Sequence, residues 1–293
     1  MEKTPSKYIV LAGTFFTSLS SIIIRFSDAP ALVISAYRML FTSLILLIPV
    51  IINNRSEFKY ISKKEYYLCT ISGIFLALHF ASWISSVKMT SIANSTILVS
   101  CSPIFVALAN YFKFKEKLNR KKALGISMSL AGTIIIAMDS SGNTANNAIL
   151  GNLLAFLGAI FVAGYLVIGG IVRKNLSAGI YVFIVYSVST LVLFIMCFAL
   201  KTPVYPYAPK EFVLFIALAF FCSILGHTVY NYMVKYVSST LISVSTLSEP
   251  IFASILAMFI FKEFPSLYTL IGGIIIIAGI FYYLVTQNKE IKA

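Results

Sequence analysis

The chain has 293 residues, of which 59% are hydrophobic and only 11% charged. Soluble domains carry roughly 25% charged residues, and a mean hydropathy of +0.92 excludes a water-soluble fold. The net charge of +13 is not a nucleic-acid signature, because the basic residues sit in short loops between apolar runs of about 20 residues, the length that crosses a bilayer as a helix.

The first apolar stretch, Tyr8 to Phe26, is too long for a signal-peptide core and has no small-residue cleavage site. It reads as a retained first span. Ten spans follow from hydropathy, at roughly 8–26, 31–52, 66–87, 91–112, 121–138, 149–172, 179–200, 211–233, 238–261 and 266–285. Their connections, Asn53–Glu65, Phe112–Lys122, Asp139–Ala148 and Lys201–Lys210, carry the Asn, Pro and charged residues of loops. Cys69, Cys101, Cys197 and Cys222 lie inside apolar segments without CxxC or Cys/His spacing, which predicts reduced thiols and neither a disulfide nor a metal site. Placing the N-terminus inside puts 17 Lys and Arg in inner segments against 5 in outer ones, with Arg38 inside a span. The positive-inside rule then predicts cytoplasmic termini.

A shift of 147 residues lays the second half of the chain on the first. It superposes Lys88 on Lys235, Ser91 on Ser238, Pro103-Ile104-Phe105 on Pro250-Ile251-Phe252, and Phe114-Lys115-Glu116 on Phe261-Lys262-Glu263. Gly125 and Gly132 fall on Gly272 and Gly279. Each half holds five spans, an odd number, so the second half enters the membrane from the opposite side. The expected fold is therefore an all-α polytopic membrane protein of ten transmembrane helices, built as two inverted five-helix repeats over 1–143 and 144–293. Inverted repeats of this kind belong to secondary transporters, which rock one half against the other around a midplane site.

Five plus five inverted helices resemble the EamA-type family of the drug/metabolite transporter superfamily. Similar to that family are Arg38, the pattern His79-Phe80-x-x-Trp83 with Thr90-Ser91-x-Ala93, the mid-helix prolines Pro103 and Pro250, and Glu116 and Glu263 closing the fourth and ninth spans. The Gly-rich fifth and tenth spans match as well. The resemblance covers nearly the whole chain and implies that spans 1, 3, 4, 6, 8 and 9 line a central cavity, 2 and 7 flank it, and 5 and 10 pack behind.

Glu249 is the one carboxylate deep in a span. A carboxylate at bilayer depth is costly unless protonated, paired or facing water, so it reads as a functional group that binds a proton or a cation. Its repeat mate is Ser102, which makes the acid an asymmetric addition to a shared Pro-Ile-Phe scaffold. Alternatively it caps backbone groups released by Pro250. Pro103 and Pro250 should kink their helices and expose the carbonyls of Val99 and Thr246. Arg38 is expected to snorkel outward or to pair with Asp28 or a carbonyl; a sharper alternative is a counter-charge for an anionic substrate.

His79 and Trp83, four apart, share one face of span 3, and His227, Tyr230 and Asn231 share one face of span 8. Trp83 is the repeat mate of Tyr230. With Asn94, Tyr165, Ser245 and Glu249 these residues form the expected substrate site, and Glu249, His79 and His227 are the candidate proton carriers. Further polar residues on the same spans include Thr14, Thr17, Ser18, Ser21, Ser95, Ser100 and Ser243, any of which can also be helix–helix glue. The Gly125/Gly132 and Gly272/Gly279 spacing predicts close packing of spans 5 and 10, and Glu116 and Glu263 are expected as loop ion pairs beside Lys115 and Lys262.

No nucleotide-binding loop is present and no cofactor is expected, so transport would draw on a gradient. The function expected is a secondary active transporter of a small polar metabolite, an amino acid or amine, working as a proton-coupled exporter by alternating access in the plasma membrane. Its partners would be a small-molecule substrate, protons and the lipid bilayer, without nucleic acid. A broad-specificity exporter of drugs or cations is the alternative within this class. A membrane-embedded lipid-modifying enzyme is the alternative outside it, disfavoured because such chemistry wants clustered His and Asp or paired carboxylates.

Overall fold

A computed structural model describes residues 9–114, 120–137, 145–236, 242 and 246–291. The described residues form helices and connecting turns. In chain order these are α1 (Ile9–Phe26), α2 (Ala31–Asn53), α3 (Lys63–Met89), α4 (Ile92–Val99), α5 (Ser102–Phe114), α6 (Arg120–Ala137), α7 (Ala145–Val172) and α8 (Ala178–Ala199). They continue with α9 (Pro209–Met233), α10 (Glu249–Phe261) and α11 (Leu267–Ile291). A 3₁₀ turn, Arg55–Tyr60, links α2 to α3.

Seven helices are long and apolar enough to cross a membrane, with α4 and α5 contributing jointly through Ile92–Ala109; three shorter apolar helices lie at Ala123–Ile136, Glu249–Phe261 and Leu267–Gly279.

Local chemistry sets the helix starts. Ser62 accepts from the Glu65 amide at 3.2 Å while the Glu65 carboxylate accepts from the Ser62 amide at 2.9 Å, a reciprocal cap for α3. Ser91 caps α4 through the Asn94 amide and Ser177 caps α8 through the Ile180 amide. Pro209 opens α9, where its missing N–H costs nothing. All four cysteines are free and buried.

The main core packs α2, α3, α7, α8 and α9 together around Ile34, Met39, Phe80, Ile84, Tyr181 and Phe215. The predicted glycine stripe is a direct backbone contact between α6 and α11. A Cβ on Gly132 would lie 2.6 Å from the Gly272 carbonyl oxygen, and one on Gly279 would lie 2.7 Å from that of Gly125. No side chain fits there, and the pair stands apart from the central cavity.

Three features depart from the expected uniform spans. The kink at Pro103 is a full interruption: α4 ends in a tightened turn, with the Cys101 amide on the Leu98 carbonyl, and α5 starts afresh at Ser102. The same happens 147 residues on, where Leu247 and Ser248 form a turn and α10 starts at Glu249. Each proline therefore falls in the first turn of a new helix, where it is tolerated, rather than inside an old one. The third departure is in α9, which widens to a π register from Leu218 to Thr228, an arrangement that recurs at functional sites.

Candidate functional site: a cavity between two interrupted helices

The two interruptions converge on a central cavity. Its wall draws Thr17 and Ser20 from α1, His79 and Trp83 from α3, and Val99, Ser100 and Ser102 from the first interruption. Val162 and Leu166 come from α7, His227 and Tyr230 from α9, and Ile242, Thr246 and Glu249 from the second interruption. Three pairs of repeat mates face it together: Trp83 with Tyr230, Val99 with Thr246, and Ser102 with Glu249. The cavity thus lies where the two halves of the duplicated chain meet.

Glu249 is the first residue of α10 and lies beside the positive end of that helix. Thr17 Oγ1 stands 3.2 Å from Glu249 Oε2 and 3.0 Å from the Tyr230 hydroxyl, which also donates to Thr14 Oγ1 at 3.0 Å. These bonds join α1, α9 and α10 along one wall. Elsewhere in the lining, His79 Nδ1 is 2.9 Å from the Gly158 carbonyl. A carbonyl only accepts, so Nδ1 carries the proton and Nε2 of the neutral ring is left as an acceptor. Gly158 permits that approach because a Cβ there would press on Ser82 and Trp83 at 3.3 Å. The His79 and Trp83 rings lie parallel with centroids 6.0 Å apart, and His79 meets His227 edge-on at 6.4 Å. Trp83 is 3% exposed, and its Nε1 finds no acceptor among the described residues.

Of the residues expected in the site, His79, Trp83, His227, Tyr230 and Glu249 line the cavity. Asn94, Tyr165 and Asn231 lie outside its lining. Asn94 Oδ1 accepts from the Thr269 hydroxyl, tying α4 to α11. Asn231 donates to the Tyr165 hydroxyl and, at 2.8 Å, to the His227 carbonyl. Of the predicted common face, His227 and Tyr230 line the cavity, whereas Asn231 turns to Tyr165 of α7. Ser245 and Ser243 lie outside the described residues. Ser20 was not singled out by sequence, although its position three residues after Thr17 places both on one face of α1.

Arg38 behaves unlike either simple expectation. It neither snorkels nor meets Asp28, which pairs with Lys210 at 3.1 Å. Its side chain is 0% exposed. Nε donates to Ser223 Oγ at 2.9 Å, Nη1 donates to Ser20 Oγ at 2.8 Å, and the guanidinium lies 4.3 Å over the Phe80 ring. Among the described residues no carboxylate makes an ion pair with it, and Nη2 has no acceptor.

Glu263 also corrects an expectation. Rather than meeting Lys262, it pairs with Arg25 of α1 at 3.6 Å and accepts from the Ile92 amide at the start of α4. Arg25 in turn donates to the Thr90 carbonyl at 2.7 Å. This cluster ties together the ends of α1 and α10 and the start of α4. Glu116 lies outside the described residues.

Interrupted helices from two halves of a duplicated, apolar chain, helical throughout its described elements, define a multi-pass membrane protein with a central cavity. The model of the EamA-like transporter family matches residues 6–138 and again 149–285, and the chain belongs to that family. It is 29% identical over 75% of its length to an uncharacterized transporter of Archaeoglobus fulgidus, of which it covers 75%. It is 24% identical over 99% of its length to the uncharacterized transporter YetK of Bacillus subtilis, covering 90% of it, and 22% identical over 93% of its length to human solute carrier family 35 member G1, covering 76% of that chain. A solved crystal structure, 16% identical, superposes with a TM-score of 0.66 over 97% of this chain and 96% of its own, a likeness of fold alone.

Proposed function

We propose that the protein is a secondary active transporter that exports a small polar metabolite, an amino acid or amine, by alternating access and in exchange for protons. In this reading the chain crosses the plasma membrane ten times, with both termini in the cytoplasm. The observation that carries it is the cavity at the junction of two symmetry-related helix interruptions. Backbone breaks at bilayer depth are tolerated where they line a cavity, and inverted repeats place substrate sites there.

Glu249 is the proposed proton carrier. It faces Thr17 of α1 and Tyr230 of α9, with His79 of α3, His227 of α9 and the Arg38 cation of α2 as the other titratable or charged groups around it. The aromatic and hydroxyl lining suits a solute with both polar and apolar parts.

The test is flux in proteoliposomes preloaded with amino acids, amines or sugars, at two pH values on each side. Saturable, counterflow-competent transport that follows an imposed proton gradient supports the proposal. Non-saturating conductance would make the protein a channel, and turnover of a lipid by the purified protein would make it an enzyme.

A further inference from the structure

Resting on that transport reading, we infer that Arg38 is a positioning residue for the proposed proton carrier. Its buried charge, held one turn of α1 away from Glu249 by Ser20 and Thr17, favours the ionised carboxylate and so sets the pH at which Glu249 loads a proton.

The two charges meet through α1. Arg38 Nη1 donates to Ser20 Oγ at 2.8 Å, and Thr17 Oγ1 donates to Glu249 Oε2 at 3.2 Å. Thr17 and Ser20 are three residues apart on α1 and both line the cavity, so they share one face of that helix. Side chains so spaced are roughly 5–6 Å apart, which sets the two charges on the order of 10 Å from each other. Glu249 is also the carboxylate within electrostatic reach of the guanidinium. The other contacts of Arg38, Ser223 Oγ at 2.9 Å and the Phe80 ring, carry no net charge. Hydroxyls satisfy its donors but leave its charge uncompensated, and a buried cation without a counter-charge is costly.

The repeat supplies a second, independent observation. Under the 147-residue shift Arg38 falls on Val185, Ser20 on Val167, Ser223 on Leu76 and Glu249 on Ser102. Val185 and Leu76 are fully buried in the main core. The duplicated scaffold therefore packs with apolar side chains at the place where the first half buries a cation. Packing does not require Arg38, and the one carboxylate deep in a span is equally absent from the other half. Cation and carboxylate are both additions to the shared scaffold, and together they cost less than either would alone.

The hydrogen bonds at Glu249 do not themselves choose between its two forms. Thr17 has one hydroxyl proton. Facing an ionised carboxylate, which only accepts, it donates to Oε2. Facing a protonated one, it can accept from the carboxyl O–H and turn its own proton to the Thr14 carbonyl, 2.9 Å away. The Tyr230 hydroxyl of α9 is committed as a donor to Thr14 Oγ1. His79 of α3 and His227 of α9 face the same cavity, α4 brings no titratable side chain, and Tyr186 of α8 and Cys222 of α9 are the other titratable groups in reach of Arg38. Among these groups the guanidinium alone stays charged at every working pH. A fixed charge decides where the hydrogen bonds do not.

The test reads the carboxyl directly, by infrared spectra of the purified full chain titrated with pH. The relevant band is the protonated-carboxyl stretch that Glu249→Gln removes. A unit charge on the order of 10 Å away, at an effective dielectric of 20, moves a carboxylate titration by about one pH unit. In Arg38→Met the midpoint should rise by about one pH unit, whereas Arg38→Lys, which keeps the charge, should stay within about half a unit of wild type. Thermal melting gives a second readout: Arg38→Met should cost clearly less in the Glu249→Gln background than in wild type, because either change alone leaves the other residue's charge unpaired. Should Arg38→Met fail to fold, Arg38→Val combined with Ser20→Val and Ser223→Leu copies the apolar packing of the other half and should raise the midpoint likewise. Equal midpoints in wild type and Arg38→Met, equal shifts in Arg38→Met and Arg38→Lys, equal melting losses in both backgrounds, or no band that depends on Glu249 would each overturn the inference. Proton-driven flux in proteoliposomes with an unmoved midpoint in Arg38→Met would overturn it and leave the transporter reading intact. A raised midpoint without such flux would support the charge pair and remove the transporter reading.

Discussion

Removing Glu263 should loosen the end of the molecule where its cluster ties α1, α4 and α10 together. Glu263 and Arg25 approach to 3.6 Å with side chains 21% and 27% exposed. Coulomb's law gives about 1 kcal/mol at that distance in water and about 5 kcal/mol at an effective dielectric of 20. Partial exposure and screening pull the net value down to about 1 kcal/mol. The bond from the Ile92 amide, which caps α4, adds about 1 kcal/mol. Glu263→Ala therefore removes about 2 kcal/mol from the closed arrangement, worth roughly a tenfold to thirtyfold shift in population; Glu263→Gln, which keeps an acceptor, removes about half of that. The assay is labelling of a cysteine placed at Ser100, in the cavity wall, by a membrane-impermeant maleimide applied from the side where α1 ends. The native thiols are all buried, so background is low. Labelling should rise about tenfold or more in Glu263→Ala and return toward wild type when Arg25→Glu is combined with Glu263→Arg. Unchanged labelling in a well-folded Glu263→Ala protein would show that the cluster holds no gate.

The other predictions concern coupling and packing. Glu249→Gln should abolish the dependence of flux on a proton gradient in proteoliposomes, and retention of both that dependence and ligand stabilisation would remove Glu249 from the mechanism. Gly132→Ala would push a methyl against the Gly272 carbonyl 2.6 Å away and should destabilise the α6–α11 pair by about 1–3 kcal/mol, read as a lower melting temperature in detergent. Lys262 ends α10 in the left-handed region at φ 57°, so Lys262→Gly should raise stability by up to about 1 kcal/mol; a fall in the melting temperature would contradict it.

Periodicity could not distinguish a kinked helix from an interrupted one. The apolar pattern runs through Ser100–Cys101 and through Leu247–Ser248 without a change of composition, because both segments are buried in protein rather than exposed to water. Nor could it separate Asn231 from His227 and Tyr230, since the Tyr165 hydroxyl that Asn231 meets lies 66 positions away in the chain. The fate of Arg38 was equally hidden. Its serine partners, Ser20 and Ser223, are far from it in sequence, and only the packing of α1, α2 and α9 makes a site for a guanidinium away from water.

What the chain alone determined is the membrane environment, the duplication and the importance of the two Pro-Ile-Phe segments. These rest on composition, on charge in loops and on a repeat without gaps, all linear properties. Tertiary structure alone decided that both segments begin new helices at one cavity, that Trp83, Tyr230, Ser102 and Glu249 share its wall, and that Glu263 reaches Arg25 instead of its neighbour Lys262. Those relations depend on which helix faces meet, and each meeting is set by side-chain packing and hydrogen bonds between residues up to 238 positions apart.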